Sequence, residues 1–85
     1  MKARVFVTLK PSVFDPQGNT IAEALHSLGY DAVADVRQGK YFELDVRAAS
    51  PAEAEKVVAD VASKVLANPV IESFRVEVAP EGGSR

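Results

Sequence analysis

The chain has 85 residues, of which 47% are hydrophobic, and a formal net charge of −2, which indicates one small globular domain. It contains no cysteine and one histidine, which excludes disulfides, thiolate nucleophiles and the usual zinc or iron–sulfur sites within one chain. The interspersed charges lack the basic footprint of nucleic-acid binding, and no apolar run approaches the roughly 20 residues that span a membrane. No cleavage site follows the short apolar N-terminus, so we expect a cytoplasmic protein.

The first half of the chain predicts a strand followed by an amphipathic helix. Ala3–Leu9 alternates with period two and is rich in β-branched side chains, which predicts a strand. Asp15 and Pro16 are typical of a helix N-cap and first helical position. Apolar residues then recur at helical spacing up to Leu28, and Gly29 is suited to end the helix in left-handed geometry.

Two further strands are predicted in the middle of the chain, over Ala32–Gln38 and Tyr41–Ala48. The second of these alternates cleanly between apolar and polar residues, which is typical of a half-buried strand. Gly39-Lys40 lies between the two strands and predicts a tight hairpin turn, because glycine tolerates a positive φ.

The second helix has the strongest local signal in the chain. Ser50-Pro51-Ala52-Glu53 is a capping box with proline at the first helical position, and a continuous apolar stripe follows it. Asn68-Pro69 ends this helix. A last strand is predicted over Ile71–Ala79, and residues 80–85 are predicted to form a flexible C-terminal tail.

The predicted element order is β-α-β-β-α-β in a single domain over residues 1–79. Right-handed crossovers fold this order into a ferredoxin-like α+β two-layer sandwich, with a four-stranded antiparallel sheet and both helices on one face. The other sheet face is then bare, and it is either a solvated face with cross-strand ion pairs or a subunit interface. We expect homo-oligomer contacts at four residues of this bare face: Arg4, Phe6, Tyr41 and Arg75.

We expect no catalytic, cofactor-binding or metal-binding residue on this chain. His26 falls on the outward face of the first helix, and the acidic residues show no metal-loop spacing. The sequence also argues against three functions common among ferredoxin-like folds, namely RNA recognition, metal delivery through C-x-x-C, and acylphosphatase activity. A stand-alone regulatory domain of the ACT type, which binds small molecules and shares the element order, stays open as an alternative.

The stretch VTLKPSVFDPQG, residues 7–18, could be a phosphate cradle or an ordinary connector. Asp15 places a carboxylate at the helix N-terminus, where it would repel a phosphate, and Gly18 falls inside the first helical turn. Local physics therefore favours the connector. Lys10 is left without a structural reason, so a partner subunit is the better place to look for its role.

Four segments together resemble the PurS family, the small subunit of bacterial and archaeal phosphoribosylformylglycinamidine (FGAM) synthase. The segments are K-P-x-V-x-D-P-Q-G at 10–18, LGY at 28–30, V-x-x-V-R-x-G-K-Y-x-E-L at 33–44 and A-N-P-V-I-E at 67–72. The resemblance extends from about Lys2 to Val78, which is nearly the whole chain.

The resemblance implies a non-catalytic subunit in purine biosynthesis. The family's enzyme is a glutamine-dependent, ATP-consuming ligase that converts formylglycinamide ribonucleotide to the amidine. The large subunit, PurL, uses ATP and Mg, and the glutaminase subunit, PurQ, makes ammonia. The resemblance implies that this chain bridges the two, supports ammonia transfer, and forms a homodimer or higher homo-oligomer.

For the contacts with these partners we predict five residues that the pattern exposes within the family-like segments: Lys10, Asp35, Arg37, Lys40 and Tyr41. The alternative at Gly39-Lys40 is that the pair merely turns the hairpin. Arg37→Ala is expected to weaken assembly of the complex while leaving the isolated fold intact.

Overall fold

A three-stranded antiparallel sheet forms the centre of the structure, a computed structural model that describes residues 1–79. Its strands are β1 (Lys2–Leu9), β2 (Gly39–Asp45) and β3 (Glu72–Ala79). They lie in the order β2-β1-β3, so β1 pairs with both of the others. The tail predicted for residues 80–85 lies outside the described residues.

Two helices complete the fold. They are α1 (Pro16–Ser27) and α2 (Pro51–Val61), and α2 continues as a π-helical segment over Ala62–Leu66. Both predicted caps are present: the Asp15 carboxylate accepts from the Gly18 amide at 2.9 Å, and the Ser50 hydroxyl oxygen accepts from the Glu53 amide at 3.2 Å. The α+β class, with an antiparallel sheet and two helices, is confirmed.

The core lies between one face of the sheet and α2. Val5 and Val7 of β1 and Val58 of α2 are its largest fully buried side chains. The strand register places Val5 between Phe42 and Val76, which are half-buried and pack on the same cluster. Burial of this face explains the period-two pattern of the strands, because alternate residues share a face. Helix α1 contributes no residue to this cluster.

The predicted strand over Ala32–Gln38 is wrong for the described structure, in which this segment belongs to no strand. Two of its backbone polar groups are bound by α1 and its N-cap residue instead of by a neighbouring strand. The Val33 carbonyl accepts from His26 Nε2 at 2.6 Å, and the Gln38 amide donates to the Asp15 carboxylate at 2.8 Å. The sheet consequently has three strands where four are predicted.

The predicted hairpin turn at Gly39-Lys40 is also wrong, because both residues begin β2 and pair with Thr8 and Val7. Glycine is required here for close approach and not for turn geometry. A Cβ on Gly39 would lie 2.3 Å from the Val7 carbonyl oxygen, far inside van der Waals contact.

The molecule is elongated, with a longest dimension of 50 Å and a radius of gyration of 16.1 Å. A compact chain of this length would have a radius of gyration of about 12 Å. The eight residues of β1 span only about 26 Å, so the molecule extends well beyond the length of its central strand. We call residues 16–38 the arm.

Candidate partner interface

The bare face of the sheet brings together all four residues predicted for homo-oligomer contacts. The register places Phe6 of β1 between Tyr41 and Arg75 on the neighbouring strands. The Arg75 guanidinium carbon lies 4.2 Å from the centroid of the Phe6 ring, and the Phe6 and Tyr41 ring centroids are 5.2 Å apart. These contacts fix an aromatic row across the sheet, since ring pairs and cation–π contacts favour such geometry.

A row of charges lies beside the aromatic row. Arg4 stands between Glu43 and Glu77 in the register, and its guanidinium is 3.7 Å from the Glu77 carboxylate. Arg75 also pairs with Glu77. The Tyr41 hydroxyl donates to Glu43 at 2.8 Å, and this hydrogen bond raises the pKa of the Tyr41 phenol. The face therefore presents rings flanked by largely paired charges.

The five residues predicted for partner contacts do not form one patch. Tyr41 points to the bare face, whereas Lys40 lies on the opposite face and pairs with Glu72 at 3.5 Å. Asp35 and Arg37 line a shallow depression at the end of β1. A neighbouring depression includes Lys40. A contact that includes all five would have to extend around the end of the sheet.

Arg37 is bound to the backbone of its own chain. Its Nη2 donates to the carbonyl oxygens of Leu9 at 3.1 Å and Lys10 at 2.9 Å, and its Nη1 donates to that of Val13 at 3.3 Å. These carbonyls follow β1, so Arg37 organises the loop that leads to α1. The structure argues against the expectation that Arg37→Ala leaves the fold intact, because the loop would lose three hydrogen bonds, and only the Lys10 carbonyl would keep another backbone donor, the Val13 amide.

Lys10 stands in contrast to Arg37. Its backbone amide donates to the Ile71 carbonyl at 2.8 Å, which extends the pairing of β1 with β3. Among residues 1–79, however, its ammonium has neither a hydrogen-bond nor an ion-pair partner. The backbone of Lys10 is thus held in place by Ile71 and Arg37, and its unpaired ammonium is suited to contact an acidic group of another subunit.

Sequence reasoning recognised Asp15 only as a helix cap, but the structure gives it a second role. It is 6% exposed, and its second carboxylate oxygen accepts from Gln38, 23 residues away. The amides of Gln38 and then Gly18 hold the pKa of Asp15 below its ordinary value, assisted by the Arg37 charge and opposed by burial. A cap pattern reports only the local contact, so no sequence signal revealed the distant one.

Within residues 1–79, no three histidine, cysteine or acidic side chains gather as metal ligands. Over the same range, no helix is long and apolar enough to cross a bilayer. His26 is exposed on the arm and donates from Nε2 to a carbonyl, since a carbonyl oxygen can only accept.

Comparison with known proteins gives a consistent family. The family model for PurS, phosphoribosylformylglycinamidine (FGAM) synthase, matches residues 2–80. The FGAM synthase subunit PurS of Bacillus subtilis is 48% identical over 77 residues, which cover 91% of this chain and 90% of that protein. This match along the whole domain does not support the alternative of an ACT-type regulatory domain.

Solved structures agree with the sequence comparison. PurS of Methanocaldococcus jannaschii is 33% identical, with a TM-score of 0.80 over 89% of this chain and 92% of that one. A chain in the structure of PurLQS from Thermotoga maritima is 32% identical, with a TM-score of 0.82 over 89% of this chain and 93% of that one. The chain belongs to the PurS family of FGAM synthase subunits.

Proposed function

We propose that this chain is the non-catalytic small subunit of FGAM synthase, that it bridges the PurL synthetase and PurQ glutaminase subunits, and that it supports ammonia transfer between them. The observation that carries the proposal is the family match over residues 2–80. The PurLQS structure from Thermotoga maritima supports the choice of partners. ATP and Mg then belong to the large subunit, and the protein works in the cytoplasm.

Reconstitution tests this proposal directly. The purified PurL and PurQ partners are assayed with glutamine, and separately with ammonium chloride, with and without this chain. We expect amidine formation from glutamine to depend on the chain, and we expect free ammonia to accumulate when it is omitted. Equal amidine formation from glutamine with and without the chain would refute the proposal.

The partner contact in this proposal includes Lys10, whose ammonium has no partner within residues 1–79. Lys10→Glu reverses a charge without removing a described side-chain contact, so the isolated fold should be unchanged. We expect binding to the partner subunits to weaken by about tenfold or more, with a smaller effect at high salt. Lys56→Glu, an exposed site on α2, is the matched control. Equal affinities for the two variants would exclude Lys10 from the contact.

Self-association is the second element of the proposal. The elongated shape leaves large apolar side chains of the loop and arm uncovered, with Phe14 at 68% and Leu28 at 74% exposed. The aromatic row on the bare sheet face is a second exposed surface. A second copy of the chain can cover either surface, and a small domain gains stability from such burial.

Sedimentation velocity measures self-association directly, because the mass of each species can be compared with the 9.1 kDa of one copy. We expect a dimer or larger species at micromolar concentration. Leu28→Ser on the arm and Tyr41→Ser on the sheet face then report which surface is used. A mass of a single copy at all concentrations tested would exclude self-association.

A further inference from the structure

The arm is joined to the rest of the molecule by a small set of polar contacts, which we call the joint. One Asp15 carboxylate oxygen accepts from Gly18 at the start of α1, and the other accepts from Gln38, which directly precedes β2. Gln38 also donates from its side chain to Gln17 at 2.7 Å. The two ends of the arm are therefore tied to each other through a single carboxylate.

Arg37 forms the other half of the joint. It lies one residue before Gln38, and its guanidinium contacts the carbonyls of Leu9, Lys10 and Val13. These carbonyls belong to the end of β1 and to the loop that precedes α1. Since a guanidinium is planar and carries five donors in fixed directions, these contacts restrict the direction in which the arm leaves the sheet.

Apolar packing does not duplicate this connection. The core cluster unites the sheet with α2, and none of its residues belongs to the arm. Within the arm, the close approach of α1 to its return segment depends on Gly18, where a Cβ would lie 2.3 Å from the Val36 carbonyl oxygen. The sheet and α2 thus share a buried core, whereas α1 buries only Gly18 and Ala22, and the contacts of Arg37 that join the arm to the end of β1 are polar.

We propose that the arm is a separate cooperative unit, and that Asp15 and Arg37 are positioning residues that set its orientation relative to the sheet. The joint opens without unfolding of the sheet and α2. This follows from the division of contacts, because a region held by few buried apolar contacts opens at a lower free energy than the core.

Asp15→Asn separates the positioning role from capping. Asparagine caps a helix as well as aspartate does, so the contact with Gly18 and the helix itself should persist. Its side-chain amide, however, presents a donor to the Gln38 amide, which is also a donor, so the tie across the joint is lost. Asp31→Asn is the matched control, since Asp31 is exposed and lies in the same arm.

Hydrogen exchange measured by mass spectrometry on the full chain provides the first test. In Asp15→Asn we expect exchange in residues 16–38 to accelerate on the order of tenfold, with β1 and α2 unchanged and far-UV circular dichroism retained. Arg37→Lys should show a smaller increase in exchange than Arg37→Ala, since lysine keeps the positive charge but lacks the planar set of donors. Exchange like that of the control, or an equal increase in β1 and α2, would overturn the proposal.

Distance measurement provides the second test and reports orientation itself. The chain has no cysteine, so spin labels can be attached through Ser27→Cys on the arm and Glu55→Cys on α2. An excess of unlabelled chain removes distances between copies. We expect a narrow distance distribution in the parent protein and a broad one in Asp15→Asn. A distribution that stays narrow and unshifted in Asp15→Asn would show that Asp15 does not position the arm.

Discussion

Val58 is the residue at which the energetics of the core can be tested most cleanly. It is 0% exposed and packs in the cluster that joins α2 to β1. Val58→Ala removes two buried carbon groups, each worth about 0.8 kcal/mol of transfer free energy, and leaves a cavity that adds a further cost. We expect the free energy of unfolding to fall by about 2–3 kcal/mol, because the helix cannot collapse fully onto the sheet.

Urea unfolding followed by circular dichroism measures this change at one fixed protein concentration, because self-association would make stability concentration-dependent. With a slope typical of small domains, the unfolding midpoint should fall by about 1–2 M. Val65→Ala is the matched control, because it makes the same change in the π-helical segment at a side chain that is 76% exposed. Its free energy of unfolding should differ from that of the parent by no more than about 0.5 kcal/mol. Equal losses for the two variants would refute the assignment of Val58 to the core.

Three further predictions concern a cap, a glycine and a carboxylate. Ser50→Ala should lower the free energy of unfolding by about 1 kcal/mol, whereas Ser50→Asn, still a good cap, should not; equal urea midpoints for both would contradict the capping role. Gly39→Ala should weaken pairing at the start of β2, because its Cβ meets the Val7 carbonyl at 2.3 Å; unchanged amide exchange there would contradict this. The Gln38 amide is the main group that lowers the folded pKa of Asp15, so the ionised carboxylate should stabilise the folded protein. This contribution should be complete well above the ordinary pKa of 3.8. It should disappear as pH falls through the lower folded pKa. The difference in exchange protection of residues 16–38 between parent and Asp15→Asn, compared at the same pH, should therefore narrow in acid, and a difference independent of pH would argue against ionisation as its source.

Much of the fold could be predicted because its signals are local. The caps at Asp15 and Ser50 determined where both helices begin, and Gly29, with a φ of 96°, ends the first as expected. Alternation predicted the faces of β1 and β2 correctly, since one face of β1 is buried in the core cluster and the same face of β2 is half-buried against it. The family could also be predicted, because its motifs extend along nearly the whole chain.

The candidate site was less predictable, because contacts between distant residues decide it. The alternating pattern predicts that Arg37 is exposed. It does not reveal that the side chain contacts three carbonyl oxygens 24–28 residues earlier in the chain. Similarly, Lys40 and Tyr41 are neighbours in sequence, yet the pleat of β2 directs them to opposite faces. Lys10 agrees with the sequence analysis, which found no structural reason for its side chain: its ammonium has no partner among residues 1–79.

The sequence by itself determined the helices, the three paired strands and the family, because each depends on nearest neighbours or on motifs along the chain. Only the tertiary structure decided that residues 32–38 belong to the arm and not to the sheet. The physical reason is that a strand requires a ladder partner, and in this segment His26 and Asp15 take the backbone groups of Val33 and Gln38 instead. Competition of this kind is resolved in three dimensions, where a single carboxylate can join residues 23 positions apart.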